Sequence, residues 1–216
     1  MNERGIALVI GLVLLAAVSL LAVLAASGTL LQRNMASNFR EHSLALENAS
    51  IASEFARAWL LGRPANERDP DCLSNCLLPI GVLGPGELPD QPEFAGVGWW
   101  QTHGIPAGYN PETATNIDDP DLSGRSAYWL IEEIHYEQSA GEPGTNDTSG
   151  TGYYRILSRG EGRNASSVAV IESILARPWA GEFIPGTYPP VGPSRSFCRQ
   201  FAPEQACGVL SWRQRR

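Results

Sequence analysis

The feature that most constrains this chain is its start. After the short charged segment Met1-Asn2-Glu3-Arg4-Gly5, residues Ile6–Leu31 run for twenty-six positions without Asp, Glu, Lys, Arg, His or Pro. At about 1.5 Å of rise per residue this run makes a helix of roughly 39 Å, longer than a bilayer's hydrocarbon core of about 30 Å. It is therefore expected to span a membrane. Charge resumes at Arg33, and residues 32–61 contain neither Pro nor Gly, so the span is expected to be the first half of one longer helix ending near Gly62 and Pro64. The apolar run is too long, and the segment before it too short, for a cleaved secretory signal.

The remaining residues suffice for one modest domain. A formal charge of −7, from 16 basic and 23 acidic residues, excludes a general affinity for nucleic acid, which needs a cationic surface. All four cysteines, Cys72, Cys76, Cys198 and Cys207, lie beyond the apolar run. Their even number and short separations favour disulfides in an oxidising compartment outside the cytoplasm. Four cysteines permit three connectivities; the local pairs Cys72–Cys76 and Cys198–Cys207 are preferred. A zinc site is disfavoured, because His42, His103 and His135 are dispersed and neither cysteine pair has zinc-knuckle spacing.

Within residues 32–61, Leu44, Ile51, Phe55 and Trp59 draw one apolar stripe, which is expected to pack on the head. Met35, Phe39 and Leu46 fall on a partly different side, either to meet neighbouring subunits or to broaden the buried face. Glu41, Glu47 and Glu54, with Arg40 and Arg57, read as a solvated or salt-bridged face. Residues 62–126 are dense in Pro, Gly, Asp and Asn and read as an irregular connection, with Trp99-Trp100 plugging the edge of the core. The acidic cluster Asp118-Asp119-Pro120-Asp121 lacks calcium-loop spacing and reads as a solvated turn.

Regular structure is expected again over 127–176. Ala127–Gln138 reads as a strand in which Tyr128, Leu130, Ile134 and Tyr136 alternate against Trp129, Ile131, Glu133 and His135. Thr151–Arg159 and Ser166–Ala176 supply two more strands, joined by a turn at Gly160–Asn164. The expectation is an α+β fold: the long N-terminal helix packed on a three- to four-stranded antiparallel meander. Residues 177–216 form a Pro-rich closing segment in which a Cys198–Cys207 bridge bounds a loop, and Arg213, Arg215 and Arg216 read as a frayed basic end.

Arg4-Gly5 followed at once by Ile6-Ala7-Leu8-Val9-Ile10 resembles the class III leader of type IV pilins and pseudopilins. The resemblance implies a leader of residues 1–5, cut between Gly5 and Ile6 by a prepilin peptidase, and a helix retained on the mature chain. Ile10 stands where most pilins carry Glu, a departure that suggests a subunit at a fibre end. Leu31-Gln32-Arg33-Asn34-Met35-Ala36-Ser37-Asn38-Phe39-Arg40 and Leu44-Ala45-Leu46 resemble the helix of PilX-type minor pilins, although Asn34 is inserted, Ser37 replaces Gly and Ser50 replaces Glu. Tyr153-Tyr154-Arg155-Ile156-Leu157-Ser158-Arg159-Gly160-Glu161-Gly162 is similar to that family's late strand and turn.

What this resemblance implies is a non-enzymatic minor pilin without cofactor or metal. Its implied partners are the major pilin, other minor pilins, the prepilin peptidase, inner-membrane lipid and a large tip adhesin. Amino-terminal methylation, adhesion and twitching motility belong to the same implication, as does an exposed contact role for a disulfide-bounded loop near the carboxyl end. Two alternatives stay open: a tip pseudopilin of a type II secretion system, and a membrane-anchored periplasmic enzyme or binding protein. No catalytic elbow, phosphate loop, zinc-protease helix or dinucleotide fingerprint is present in the sequence.

Overall fold

A computed structural model describes residues 3–69, 72, 76–116, 126–138, 150–164, 166–179, 195–198 and 206–215, the side chains of 3–8, 23–27, 195 and 196 excepted. By internal contacts the chain divides into a unit of residues 1–41 and a unit of residues 42–216. One helix, α1 (Glu3–Leu61), runs through the division. It passes straight through Gly5. A glycine inside a helix costs only about 1 kcal/mol against Ala, too little to interrupt a long run of good helix formers. The helix ends at Leu61, where the Gly62 amide caps the carbonyls of Ala58 and Trp59.

In the first unit, the described side chains of Val9–Ala22 are exposed on every side of the helix. Among the described residues no helix is long and apolar enough to cross a membrane. The expected span Ile6–Leu31 falls partly on residues 6–8 and 23–27, whose side chains lie outside the described set.

The second unit is built on a six-stranded sheet. The strands and helices are β1 (Val82–Leu83), α2 (Val97–His103), β2 (Ile105–Pro106), β3 (Tyr109–Asn110), β4 (Thr115–Asn116), β5 (Ala127–Gln138), β6 (Gly150–Glu161), β7 (Val168–Pro178), the short α3 (Arg195–Cys198) and β8 (Gly208–Arg215). The sheet runs β1-β5-β6-β7-β8, with β2 also pairing β5, while β3 and β4 form a separate two-stranded ribbon. β5, β6, β7 and β8 are antiparallel neighbours, but β1 lies parallel to β5, pairing Val82 with Ile131. The expected three- to four-stranded antiparallel sheet is thus corrected to a larger, mixed one. Two-residue strands carry no readable alternation, which is why β1 and β2 escape a sequence reading.

The alternation expected along β5 also needs correction. The register with β6 shifts between Glu133 and His135, a β-bulge at Ile134. The extra residue turns Tyr136 onto the face of Trp129 and Ile131, where it joins their core cluster. The expected turn at Gly160 belongs instead to β6, which extends to Glu161. Arg213 and Arg215 are not frayed. They lie in β8, and both bridge to Glu172 of β7. Arg216, the acidic cluster 118–121 and the loop 139–149 lie outside the described residues.

Cores form on both faces of the sheet. On the α1 side, Phe55, Trp59, Leu60, Trp129, Ile131, Tyr154, Ile156 and Leu175 make the main cluster. On the opposite side, Leu88, Trp100, Leu130 and Leu157 make a second one under the segment that carries α2. Trp100 is therefore the centre of a core of its own and not a plug at the edge of the first, while Trp99 is half-buried beside it.

Candidate functional site

The region where α1 meets the sheet is made by small residues. Ala45, Ala49, Ala52 and Ala56 are fully buried, at spacings of four, three and four that keep them on one helical face. Opposite them Gly160 is enclosed so tightly that a Cβ there would overlap the backbone of Ala45 and Ala49. The same close approach lets the Asn48 amide, itself buried, donate to the Glu161 carbonyl at 2.7 Å. Side-chain-free contact of this sort brings helix backbone onto strand backbone and fixes the helix's rotation on the sheet.

Large residues follow toward the carboxyl end of α1. Trp59 is 1% exposed, stands 6.5 Å from Trp129 ring to ring, and donates to the Ile80 carbonyl at 3.0 Å. Phe55 is buried in the same cluster and Ile51 packs half-buried against it. Leu44, the fourth residue of the expected stripe, is half-buried and outside these clusters; the neighbouring Ala45 takes the inward position. Leu46 packs half-buried beside Ala45, Ala49, Ala169 and Ile171, so it broadens the buried face. Met35 and Phe39 are 65% and 75% exposed.

Beyond Trp59 the main core turns polar, a feature no sequence motif announces. Glu133 is buried on β5 and receives a two-pronged ion pair from Arg68, with nitrogen to oxygen distances of 2.9 Å and 3.0 Å. It also accepts the Tyr154 hydroxyl at 2.8 Å, which in turn accepts the Trp179 indole N–H at 2.7 Å. Burial, and then the charge of Glu133, push the Tyr154 phenol well above its ordinary value. Arg68 sits 4.0 Å over the Tyr136 ring and donates to the Cys72 carbonyl at 2.8 Å. The ion pair thereby ties Cys72, which is bridged to Cys76, to the sheet.

Next to this network Arg177 is almost fully buried, its guanidinium 3.5 Å over Trp179, and it donates to the Arg63 carbonyl. Burial lowers its pKa to about 9. Arg63 in turn lies 4.0 Å over Trp59 and pairs with Glu67 at 3.2 Å and Glu112 at 2.7 Å. Burial raises the Glu67 carboxyl above the usual range despite Arg63. The second disulfide, Cys198–Cys207, joins α3 to the residue before β8, and both its cysteines pack against the main core.

The opposite face of the sheet is held by another set of ion pairs. Glu132 is buried, bonded to Arg155 at 2.8 Å, and accepts the Gly86 amide at 2.7 Å. Arg159 pairs with Glu161 at 2.9 Å and donates to the Ala95 carbonyl at 2.9 Å, and Arg215 donates to the Asp90 carbonyl at 2.7 Å. These bonds lash the segment 86–95 onto the strands.

Among the described residues no cluster of His, Cys, Asp and Glu is suited to a metal. His103 stacks on Trp99 and bonds its carbonyl, His135 lies beside Tyr153, and His42 approaches Gln214. Gly5 and Ile6 lie in the helical backbone of α1 with side chains outside the described set. The charged groups of the core bond other residues of the same head, and the large exposed apolar surface belongs to α1.

Two family models match the chain: PilX N-terminal over residues 4–49, and Type IV pilus assembly protein PilX C-term over residues 57–177. The first covers most of α1 and the second the head from Arg57 through β7. No curated relative and no solved structure matches the chain. With more than half of its residues matched by the second model alone, the chain belongs to the PilX family of type IV pilus assembly proteins, a generally non-enzymatic family that works with other pilus components at the cell envelope.

Proposed function

We propose that this chain is a minor pilin that primes or caps a type IV pilus as part of a tip complex. In this reading the prepilin peptidase cuts between Gly5 and Ile6, and the run Ile6–Leu31 holds the subunit in the inner membrane with its head in the periplasm. Assembly then moves α1 from lipid into the fibre, against the helices of the major pilin and other minor pilins. A helix can make this exchange because lipid tails and apolar side chains are similar surroundings, so close packing decides the outcome.

The observation that carries the reading is the contrast along α1. Its described residues Val9–Ala22 are apolar and exposed all round, while Ala45–Leu61 is committed to the head. A helix apolar on every side needs apolar surroundings from elsewhere. The Ile10 position, without the acid usual in pilins, supports placement at a fibre end, where fewer neighbours contribute an amino terminus to be paired. A large tip adhesin is the partner this placement implies.

Two measurements test it. Amino-terminal sequencing of the protein from membranes should begin at Ile6; a start at Met1, or beyond Leu31, overturns processing as a pilin. Deletion of the gene should abolish surface pili and leave protein secretion intact. The reverse outcome assigns the chain to a type II secretion system as a tip pseudopilin.

A further inference from the structure

The two edges of the six-stranded sheet are finished differently. Along β5 the outer edge is occupied by β1 at Ile131 and Glu132 and by β2 at Tyr128 and Trp129. Along β8 no described strand pairs with the outer edge. An open edge presents a row of unpaired N–H and C=O groups, and folded proteins commonly guard it with charged side chains, above all Lys, with Pro, with a β-bulge or with a very short strand. β8 has eight residues, Gly208-Val209-Leu210-Ser211-Trp212-Arg213-Gln214-Arg215; it has neither Lys nor Pro, its charges are Arg213 and Arg215, and its register with β7 shifts by one residue at Leu210. Leu210 and Trp212 are 52% and 54% exposed.

The strand is nevertheless well fixed. Seven of its residues are in register with β7, Cys207 bridges Cys198 just before it, and Arg213 and Arg215 both grip Glu172. Its two faces differ in kind. Val209 and Trp212 pair with Leu175 and Ser173 and lie on the α1 side, whereas Ser211, Arg213 and Arg215 lie on the other. Glu172 is buried beneath Arg213, whose side chain is 63% exposed, so the charged group this edge turns outward is the Arg213 guanidinium, while Arg215 is held between Glu172 and Glu93.

We propose that β8 is a strand-addition site for an extended segment of another polypeptide, one that alternates apolar with acidic side chains. Main-chain bonds to the open edge supply the attachment, an apolar residue lies against Trp212, and an acidic residue on the opposite face meets Arg213. A second copy of this chain fits less well. Antiparallel self-pairing about Trp212 sets Arg213 of each copy beside Ser211 of the other and gathers the arginines of both on one face. The proposal does not rest on the leader, the membrane or the priming role.

The full chain in detergent micelles is titrated with a synthetic peptide of alternating valine and glutamate, about ten residues long to match β8. Hydrogen exchange is read over 208–215. Saturation should slow these amides by roughly tenfold or more while those of β5 and β6 are unchanged. Leu210→Lys and Trp212→Lys should each remove the effect without changing exchange in β5 or β6. Three results overturn the proposal. The first is no change with the glutamate peptide. The second is equal slowing by a valine–lysine peptide, which marks unspecific apolar contact. The third is protection of 208–215 in the free chain equal to that of β6, which marks an edge already filled by the chain's own residues or, where it depends on protein concentration, by a second copy.

Discussion

Two stretches of α1 are both rich in apolar residues and have opposite fates. Val9–Ala22 is built mainly of Leu, Val, Ile and Ala and is exposed throughout, with Ile10 54% and Leu15 71% accessible. Ala45–Leu61 interleaves Ala with charged and polar residues, yet Ala45, Ala49, Ala52, Ala56 and Leu60 are fully buried. Hydrophobicity alone does not decide which part of a helix is inside a fold. The second stretch is buried because the sheet offers it a complementary surface: a glycine where the backbones touch, and aromatic rings where they diverge. The first stretch has bulky side chains suited to lipid or to helices of other subunits, and nothing in it calls for one particular partner.

That contrast is broken most severely by attacking the sheet side. Glu133→Ala leaves Arg68 buried without its partner and should destabilise the head by about 3–5 kcal/mol. Denaturant unfolding of the full chain, followed by tryptophan fluorescence, measures this; a loss below about 1 kcal/mol would show that the network is not a structural element. Gly160→Ala comes next. The added methyl group must push α1 off the sheet, at an expected cost of about 1–3 kcal/mol. Proteolysis should at the same time reach the α1 segment Ala45–Leu61, and an unchanged digestion pattern would refute the close approach.

Tyr154→Phe sharpens the comparison with a pH signature. At neutral pH the loss of the hydroxyl should cost about 1–2 kcal/mol, because Glu133 and the Trp179 indole each lose a partner. The sign above neutrality follows from the raised phenol. The stability gained by keeping Tyr154 protonated in the fold is fully present below the ordinary tyrosine value, near 10, and is lost as the pH rises toward the folded value. The difference between wild type and Tyr154→Phe should therefore shrink above about pH 10; a constant difference would contradict the burial of that hydroxyl.

The smallest effect on the head is expected from the exposed stretch. Leu15→Asn should alter the head's unfolding free energy by no more than about 0.5 kcal/mol, since Leu15 touches none of its clusters. The same substitution should weaken retention in membranes on mild detergent washing. A head destabilised by Leu15→Asn would mean that the two stretches of α1 are not independent.

Much of this division was legible in residue order. The charge-free run from Ile6, the absence of Pro and Gly over residues 32–61, the alternation over Ala127–Gln138 and the strand segments Thr151–Arg159 and Ser166–Ala176 announced a long helix and a three-stranded centre. The cysteine spacings pointed to two local bridges, and these are the pairs found bonded. The Leu31–Arg40, Leu44–Leu46 and Tyr153–Gly162 blocks carried the likeness to PilX-type pilins, the family to which the chain belongs.

The misses have separate physical causes. Leu44 stands in the expected stripe because a periodic reading weights large apolar residues, whereas close backbone contact selects small ones such as Ala45. The alanines at 45, 49, 52 and 56 were a visible signal for it, and Gly160 its counterpart on the strand. Tyr136 was placed on the wrong face because a bulge changes parity without any necessary mark in composition. Arg213 and Arg215 read as a frayed basic end because they look solvated until Glu172 is brought beside them from β7, some forty positions earlier.

Sequence by itself determined the long helix, the α+β class, the local disulfides and the family. Those depend on patterns within a few residues or on short recurring blocks. Only tertiary structure decided which side of α1 is buried, that Arg68 and Glu133 are paired inside the head, and that one sheet edge is capped while the other ends in β8. Each of these brings together residues far apart in the chain, and their energies arise from desolvation and contact that exist only once the chain has folded.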